Sequence, residues 1–585
     1  MEAEQAYSQA IAFSATNSYT AKLASARLND LAGKIEQAQA DYLSLVNAFP
    51  YNTELKMMLS EFYFLIEQHK KMEVLLQEVV KIDPNHPSAW FMLGRVAFLQ
   101  GDFEKALNEY FVKALVTAKK LKNRVQEGEA LNAFGVVYEQ LGETELAFDY
   151  YQQSLKIRRQ LTNLADAATT MTNLAAMHLA VGEYQQTEQY LTESLAIYQK
   201  LDDQEGLSNT YNELGKLAEE QASYQTALEN YRHALNIRVE LNNLMLQAES
   251  MNNIGFTYFM LLDPEHALVY WRQSEQLYQQ VQFPIGIIHV RQNLGQMELA
   301  KGNWRNAYHL FNNTLTDAEK LNITEESIVS RSYLTKLAFL QGNFYASIEE
   351  LTLTYQAAVK ANDVRAMAEF GLWLADWSLQ LGDQEQAAKH LANINDIVSR
   401  HGNKEHMSKF QFLKSQTVGN LSTAVMENKN NRVLDHAHQS IYIRQLIYQA
   451  KQSLHQGNKD ISAYLTPLAN VDFSLQQYQY IEYLELLAVQ QYFSGAWLDL
   501  KATLRSADIL LRKMGDYWRS FQFDRLRAQL AIVNQQDPTK YYKKVTKKLM
   551  HLKANLPPEF SGKFIETQDY FELNDSLMEL SRHDQ

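Results

Sequence analysis

The protein has no cysteine and few prolines or glycines, and these absences restrict both its chemistry and its fold. Without cysteine there is no disulfide, no thiolate nucleophile and no zinc site with cysteine ligands. The 585 residues include 9 prolines and 22 glycines, about a third of the average usage of proline and about half of that of glycine. No proline lies between Pro87 and Pro264 or between Pro284 and Pro467. Because an interior proline costs a helix about 3 kcal/mol, these stretches predict one helix after another.

Basic residues are also in deficit. The chain has 55 Lys+Arg against 68 Asp+Glu, a net charge of -13. This balance argues against a nucleic-acid-binding face and against attachment to anionic lipid. No apolar run approaches the roughly 20 residues needed to span a bilayer, and the N-terminus lacks the features of a signal peptide. We therefore expect a cytoplasmic protein with no nucleic-acid partner and no membrane insertion.

A turn residue recurs every 40 residues over about half of the chain, from Gly101 to Gly382. It is a glycine in phrases such as LQGDFEKA, QLGETELA and AKGNWRNA. After a first interval of 41, these glycines are separated by 40 or a multiple of 40, and Ala222 and Leu262 fill the gaps in register. Such a period indicates a repeat architecture. The glycines of this column are Gly101, Gly142, Gly182, Gly302, Gly342 and Gly382.

Further columns share this period and predict a pair of antiparallel helices in each repeat. A small residue stands seven positions before the turn, and a bulky one stands nine positions after it. Small residues permit close crossing of the two helices, and bulky residues fill the space beside the crossing. The small residues are Gly135, Ala175, Gly215, Gly255, Gly295, Thr335 and Ala375, and the bulky ones are Tyr151, Leu191, Tyr231, Trp271, Phe311, Leu351 and Leu391.

The phrase around residue 94 identifies the repeat family by resemblance. Trp90, Leu93 with Gly94, Gly101, Ala106 and Tyr110 look like the tetratricopeptide (TPR) signature. The 40-residue units are similar to those of Pins/LGN adaptors, kinesin light chains, bacterial Rap regulators, and TPR arrays fused to bacterial kinases and AAA-type regulators. The resemblance implies an all-α fold. It would be a right-handed TPR superhelical solenoid of antiparallel helix pairs, with divergent helical repeats at the C-terminus.

Repeat length divides the chain into three parts. Residues 1–127 read as 34-residue TPR units and a linker, 128–407 as seven 40-residue units, and 408–585 as a divergent helical region that caps the array. The six added residues per unit predict helices longer by about 4.5 Å each. The spacing from Ala106 to Ala114 is one residue longer than in the family, which predicts a local π-bulge.

Motifs for catalysis and metal binding are missing. The sequence contains no phosphate-binding loop, dinucleotide-binding glycine motif, zinc-protease motif or nucleophile elbow. His436 and His438 stand two residues apart, so on a helix they point to different sides, and no third ligand stands at a suitable spacing. We predict no catalytic residue, no metal and no cofactor, and therefore a protein that is not an enzyme.

Side-chain amides recur on the first helix of successive units, just before the small residue. In the TPR fold these positions resemble those that line the concave groove, and asparagine is a poor residue for a helix interior. One interpretation is a ladder that hydrogen-bonds an extended peptide, with an apolar anchor pocket near residues 255–260. The alternative is that the amides bond neighbouring helices or water. The predicted groove residues are Asn132, Asn173, Asn212, Glu213, Asn252, Asn253, Phe256, Gln292 and Asn293.

Two functions follow as expectations. The first is a non-catalytic scaffold or adaptor that binds a protein or peptide segment in its groove. The second is a sensor or regulatory module of a bacterial signalling kinase, ATPase or transcription regulator whose effector domain lies on another chain or outside this sequence. A basic helix at 540–553 has lysines on one face, which predicts either a solvated capping helix or a docking surface for an acidic partner.

Overall fold

The computed structural model describes residues 2–13, 18–66, 68–161, 163–418, 435–515 and 518–557, with Phe560 and Phe564. Across these ranges the regular structure is helical and contains no strand, so the predicted all-α repeat solenoid is confirmed. None of the helices in this part of the chain is long and apolar enough to cross a membrane. The chain divides into two compact units: Met1–Met177 with Tyr190–Asp202, and His178–Gln189 with Asp203–Gln585.

The first unit begins with short helix pairs and continues with longer ones. Helices α2 to α5 have 13 or 14 residues each, whereas α9 and α10 have 17. The predicted π-bulge is confirmed, since a π-helical segment occupies Ala106–Phe111 and accommodates the extra residue. The helices are α1 (Glu2–Phe13), α2 (Tyr19–Leu31), α3 (Ile35–Ala48), α4 (Thr53–Leu65), α5 (His69–Ile82), α6 (Pro87–Leu99), α7 (Phe103–Lys105), α8 (Val112–Lys120), α9 (Arg124–Gln140) and α10 (Thr144–Gln160), with α11 (Leu164–Ala180) and α12 (Tyr184–Leu201) shared between the units.

The second unit contains the remaining 40-residue pairs and the C-terminal helices. Both helices of a pair have 17 residues in α13 to α20, which confirms the predicted lengthening. The helices are α13 (Gln204–Glu220), α14 (Tyr224–Glu240), α15 (Leu244–Met260), α16 (Pro264–Gln280), α17 (Pro284–Ala300), α18 (Trp304–Lys320), α19 (Thr324–Leu340), α20 (Phe344–Lys360), α21 (Val364–Gln380), α22 (Gln384–His401), α23 (Lys404–Val418), α24 (His436–His455), α25 (Ser462–Leu468), α26 (Gln477–Ser494), α27 (Trp497–Met514), α28 (Ser520–Val533) and α29 (Thr539–Ala554).

The small and bulky columns meet where the two helices of a pair cross. A Cβ atom added to Gly255 would lie 2.7 Å from the ring of Trp271, and one added to Gly295 would lie 2.7 Å from the ring of Phe311. Both rings are fully buried. The predicted close crossing is therefore confirmed, because the backbone of the first helix touches an aromatic ring of the second.

The turn column has a left-handed backbone, including the positions that are not glycine. The φ angle is 75° at Gly142, 51° at Ala222 and 63° at Leu262. A second left-handed column, which the sequence analysis missed, lies between successive pairs. Its residues share no single chemistry, and only the structure reveals it: Lys122, Asp202, Asn242, Gln282, Asn322 and Asn362, with φ between 54° and 57°.

The left-handed turn at Ala222 predicts that a smaller residue stabilises the protein. A residue with a Cβ atom is strained in the left-handed conformation, so Ala222→Gly should raise the free energy of unfolding by about 0.5–1 kcal/mol. The matched change Gly142→Ala, at a turn with open space around the added methyl group, should lower it by a similar amount. Hydrogen exchange tests this, in α13 and α14 for Ala222→Gly and in α9 and α10 for Gly142→Ala. Equal shifts of the same sign would contradict it.

The C-terminal region does more than cap the last pair. Its helices were predicted to close the end of the array, but they pack along the middle repeats. The ring of Phe344 lies 5.6 Å from both Trp518 and Phe564, and the amide of Tyr345 donates to the carbonyl of Asn555 at 2.8 Å. This region thereby completes the largest apolar core of the second unit. Residues 419–434, and 558–585 except Phe560 and Phe564, lie outside the described residues.

Candidate binding groove

The predicted amides lie on the first helices of their pairs, as the repeat requires. Asn132 and Asn173 belong to α9 and α11 in the first unit, and the others belong to the second unit. Asn212 and Gln292 are buried, with 2% and 5% of their surface exposed. The remaining amides are half-buried: Asn132, Asn173, Asn252, Asn253 and Asn293.

The amides hydrogen-bond to one another along the stack. The Nδ2 of Asn253 donates to the Oδ1 of Asn212 at 3.1 Å, and the Nδ2 of Asn293 donates to the Oδ1 of Asn252 at 3.0 Å. Each bond joins the first helix of one pair to the first helix of the next. In this arrangement the amides bond neighbouring helices, which is the alternative that the sequence left open.

Three amides keep an unused hydrogen-bonding atom. The Nδ2 of Asn252, the Oδ1 of Asn253 and the Oδ1 of Asn293 have no hydrogen-bond partner within the described ranges, and these residues are half-exposed. An amide carries two donors and two acceptor lone pairs, so one internal bond leaves capacity for a ligand. Peptide binding by these residues stays a prediction.

Asn212 belongs to a buried polar network. The guanidinium of Arg238, only 1% exposed, donates to the carbonyl of Leu246 at 3.0 Å, to the Oγ of Ser250 at 2.7 Å and to the Oδ1 of Asn212 at 3.4 Å. Its Nη2 lies 3.4 Å from the carboxylate of Glu249. Removal of Asn212 would therefore weaken the scaffold itself.

The charges on α13 are already compensated. Lys216 donates to Glu213 at 2.8 Å. Burial opposes the charge of Lys216, but the carboxylates of Glu213 and Glu249 raise its pKa overall. Burial raises the pKa of Glu219 to about 7, while the hydroxyl of Thr257 donates to its carboxylate at 2.7 Å. The first helix α13 therefore presents amides to a ligand, whereas its Lys216 is already paired with Glu213.

The predicted apolar anchor pocket is covered by the chain itself. Phe256 is half-buried, and Phe259 is buried with its ring 4.9 Å from the ring of His436. Leu475, 1% exposed, joins the same apolar cluster. Burial lowers the pKa of His436 to about 4. The C-terminal region therefore occupies the space that we had expected for a partner's apolar side chain.

The two histidines of the HAH phrase have different environments. His436 packs on Phe259, and the Nδ1 of His438 lies 2.6 Å from the carboxylate of Asp435, which raises the pKa of His438. Within the described ranges, no group of three or more His, Asp or Glu side chains is placed to hold a metal ion.

One face of the basic helix α29 is buried and the other is exposed. Val545 and Leu552 pack inward, whereas Lys543 and Lys547 are exposed. Lys548 is partly neutralised by Asp524 at 2.9 Å. An acidic partner for the remaining lysines stays a prediction.

The sequence analysis missed one polar group on the same face. Lys336 on α19 stands 120 residues after Lys216, and its Nζ lies 4.5 Å from the centre of the Trp373 ring. The 40-residue period places the two lysines at equivalent positions, three repeats apart. The sequence around them contains no motif that distinguishes a lysine with an ion-pair partner from one without.

Several solved structures are similar to this chain. A Rap protein complexed with competence and sporulation factor has 15% identity and a TM-score of 0.48, and the match covers 59% of this chain and 98% of that one. The match to Cut9-Hcn1 of the APC/C has 18% identity and a TM-score of 0.42, and it covers 56% of this chain and 58% of that one. BtubC from P. vanneervenii has 21% identity and a TM-score of 0.32, with 37% of this chain and 91% of that one covered.

Comparison of sequences identifies the repeat. No curated protein matches this sequence. The tetratricopeptide repeat family matches residues 87–160 and 166–240, which span α6 to α14. The columns of small and bulky residues in 40-residue phase begin within this segment, at Gly135, and continue beyond it to Leu391. At a coarse level, such repeats are scaffolds for protein–protein interaction. Residues 87–160 and 166–240 are therefore tetratricopeptide repeats.

Proposed function

We propose that the second unit binds an extended protein or peptide segment along the first helices α13, α15 and α17, and that the protein is a scaffold or adaptor without catalysis of its own. The observation that supports this most directly is the set of hydrogen bonds that link the side-chain amides of successive repeats. Asn252, Asn253 and Asn293 each use one atom to bond a neighbouring repeat, and each keeps another atom that has no partner among the described residues. An internal bond fixes the orientation of each amide, so little side-chain entropy remains to be lost when a ligand binds.

The spacing of the amides fits an extended chain. Packed helices lie about 8–10 Å apart, and an extended chain advances about 3.3 Å per residue. The amides of one repeat therefore correspond to about three residues of the bound segment. Each hydrogen bond contributes about 0.5–1.5 kcal/mol. The amides therefore supply part of a micromolar affinity, which corresponds to about -8 kcal/mol. The remainder comes from side-chain contacts elsewhere on this face.

The test is a binding measurement with N-acetylated nonapeptide pools from a positional-scanning library. The double variant Asn253→Ala/Asn293→Ala should lower the affinity of the best pools about tenfold, because two hydrogen bonds are lost. Fluorescence polarisation measures the affinity. These two residues suit the test better than Asn212, whose loss would leave Arg238 without one of its partners.

Exposed amides provide the matched control. Asn312 and Asn313 lie on the second helix α18 and are exposed, so Asn312→Ala/Asn313→Ala should leave the affinity unchanged. Thermal unfolding of both double variants shows whether any loss of binding follows from loss of folding. Failure of every pool to bind the wild-type protein would contradict the proposal, as would equal affinities for wild type and Asn253→Ala/Asn293→Ala.

The regulatory alternative uses the same face. A sensor or regulatory module would bind a peptide signal here and pass the change to an effector domain. The contact of His436 and Leu475 with the Phe259 cluster offers such a module a region to displace. A ligand that displaces His436 and Leu475 from the Phe259 cluster would favour the regulatory function. A ligand that binds without displacing them would favour the scaffold.

A further inference from the structure

A polar cavity lies where the aperiodic C-terminal region packs on the last repeats of the second unit. Its wall is formed chiefly by α21, α24 and α26. The volume is about 160 Å³, close to that of a cavity of about 150 Å³ that admits benzene. None of these three helices takes part in the proposed binding of a peptide along α13, α15 and α17. The cavity is therefore a separate candidate for a ligand.

Helix α24 presents one of its faces to the cavity. The residues on this face are spaced three or four apart, which is the spacing of a single helix face. They combine two cations with an apolar and an aromatic side chain: Arg444, Ile447, Tyr448 and Lys451. A ligand in the cavity would meet positive charge and apolar surface on the same helix.

The wall of the cavity carries more positive than negative charge. Three cations and two carboxylates line it. Arg444 pairs with Asp376. Lys451 and Arg519 share the other carboxylate, that of Glu482, at 2.9 Å and 3.0 Å. One cation of the wall is therefore left over.

Lys451 is the cation that has donors to spare. Its ammonium carries several N–H donors, of which one bonds Glu482, and the others have no partner among the described residues. Arg519 is better compensated, because Glu485, which does not line the cavity, lies 3.5 Å from it. Burial and the charge of Arg519 lower the pKa of Lys451, against the opposing effects of Glu482 and Glu485. A negative group in the cavity would stabilise the charged form of this lysine.

Uncharged groups complete the wall. The side-chain amides of Gln380 and Gln416 line the cavity, and neither makes a hydrogen bond to another described residue. Gln416 is buried, with 7% of its surface exposed. Leu379 adds apolar surface beside them. The wall therefore combines one surplus charge with amides and apolar side chains, as small-molecule sites commonly do.

We propose that this cavity binds a small organic acid with a single negative charge, and that Lys451 donates to its carboxylate. The carboxylates of Asp376 and Glu482 stand on the same wall and would repel a second negative charge on the ligand. The volume suits a compound of about six to ten non-hydrogen atoms, judged by the comparable cavity that admits benzene. Nucleotides and sugar phosphates are too large and too highly charged for it.

Ligand-observed NMR with single compounds tests the proposal. The panel contains straight-chain, branched and aromatic monocarboxylates of this size, hexanoate and benzoate among them, together with the primary amide of each. The best carboxylate should bind the wild-type protein about tenfold more tightly than its amide, because the amide cannot accept a charge-assisted hydrogen bond. Phthalate, which adds a second carboxylate to benzoate, should bind more weakly than benzoate.

A variant of the lysine assigns the preference for the acid to its site. Lys451→Met should abolish this preference. The variant leaves Arg519 at 3.0 Å from Glu482, so the shared carboxylate keeps a partner. Lys501 on α27 is exposed and lies outside the cavity, so Lys501→Met is the matched control and should retain the preference. Hydrogen exchange in α24 and α26 shows whether both variants keep their fold.

A bulky residue on the wall assigns binding to the cavity itself. Gln380→Trp adds volume without removing a charge, so it should abolish the binding of acid and amide alike. Gln386 on α22 is exposed and does not line the cavity. The matched variant Gln386→Trp should therefore bind as the wild type does.

Several results would overturn the proposal. Failure of every compound to bind would do so, as would equal affinities for acids and amides or a preference that survives Lys451→Met. Binding that persists in Gln380→Trp would show that the ligand lies elsewhere. None of these results bears on the binding of a peptide along α13, α15 and α17, which has its own test.

Discussion

Arg238→Met should lower the local free energy of unfolding around α13 to α15 by about 3–4 kcal/mol. The methionine keeps the apolar part of the side chain but removes the guanidinium donor from the carbonyl of Leu246 and from the hydroxyl of Ser250. The carboxylate of Glu249 also loses a partner. A buried polar group that loses a hydrogen-bond partner keeps a desolvation cost that is no longer compensated, and this cost exceeds the net contribution of the bond when it is formed.

Hydrogen exchange measures this loss region by region. Because the chain forms two compact units, a single unfolding midpoint would average over both. Exchange should accelerate in α13 to α15 and stay unchanged in α2 to α5. Arg272 on α16 is exposed, so Arg272→Met is the matched control and should have no measurable effect. Equal protection in the two arginine variants would show that the network does not stabilise the repeat.

Gly255→Ala should destabilise α15 and α16 by about 2–3 kcal/mol, although alanine is the better helix former. In an unobstructed helix, this exchange would gain about 0.5–1 kcal/mol. Here the added methyl group would lie 2.7 Å from the buried ring of Trp271, and overpacking of a filled core costs about 1–3 kcal/mol. Exchange in α15 and α16 reports the result.

Gly128→Ala provides the contrast. Its methyl group would lie 3.3 Å from Cγ of Arg158 and 3.4 Å from Ile157, contacts that small side-chain adjustments relieve. This variant should be neutral or slightly more stable. The double variant Gly255→Ala/Trp271→Phe should recover part of the loss, because the smaller ring makes room for the methyl group. Stabilisation by Gly255→Ala would contradict the close crossing.

The architecture of the repeats was predictable because it depends on local pattern. Alternating columns of glycine and aromatic residues specify where two helices cross, and the turn glycines specify where they reverse. The π-helical segment at Ala106–Phe111 followed from a count of one extra residue. The positions of the amides on the first helices followed equally from the period.

The partners of those amides were not predictable from the pattern. Whether Asn253 faces a ligand or bonds Asn212 depends on the rotation of two helices whose asparagines stand 41 residues apart. The same holds for Lys216 and Lys336, which share a helix position but differ in their neighbours. The second left-handed column escaped notice because residues as different as Lys122 and Asn362 occupy it.

The sequence by itself determined a helical repeat array, its helix lengths, its turns and the face on which its amides stand. These properties depend on contacts between residues close in the chain or one period apart. Only the tertiary structure decided that Leu475 and His436 cover the apolar cluster around Phe259, and that the Nζ of Lys336 lies 4.5 Å from the centre of the Trp373 ring. Such contacts join segments far apart in sequence, and the aperiodic C-terminal region contains no pattern that specifies where it packs.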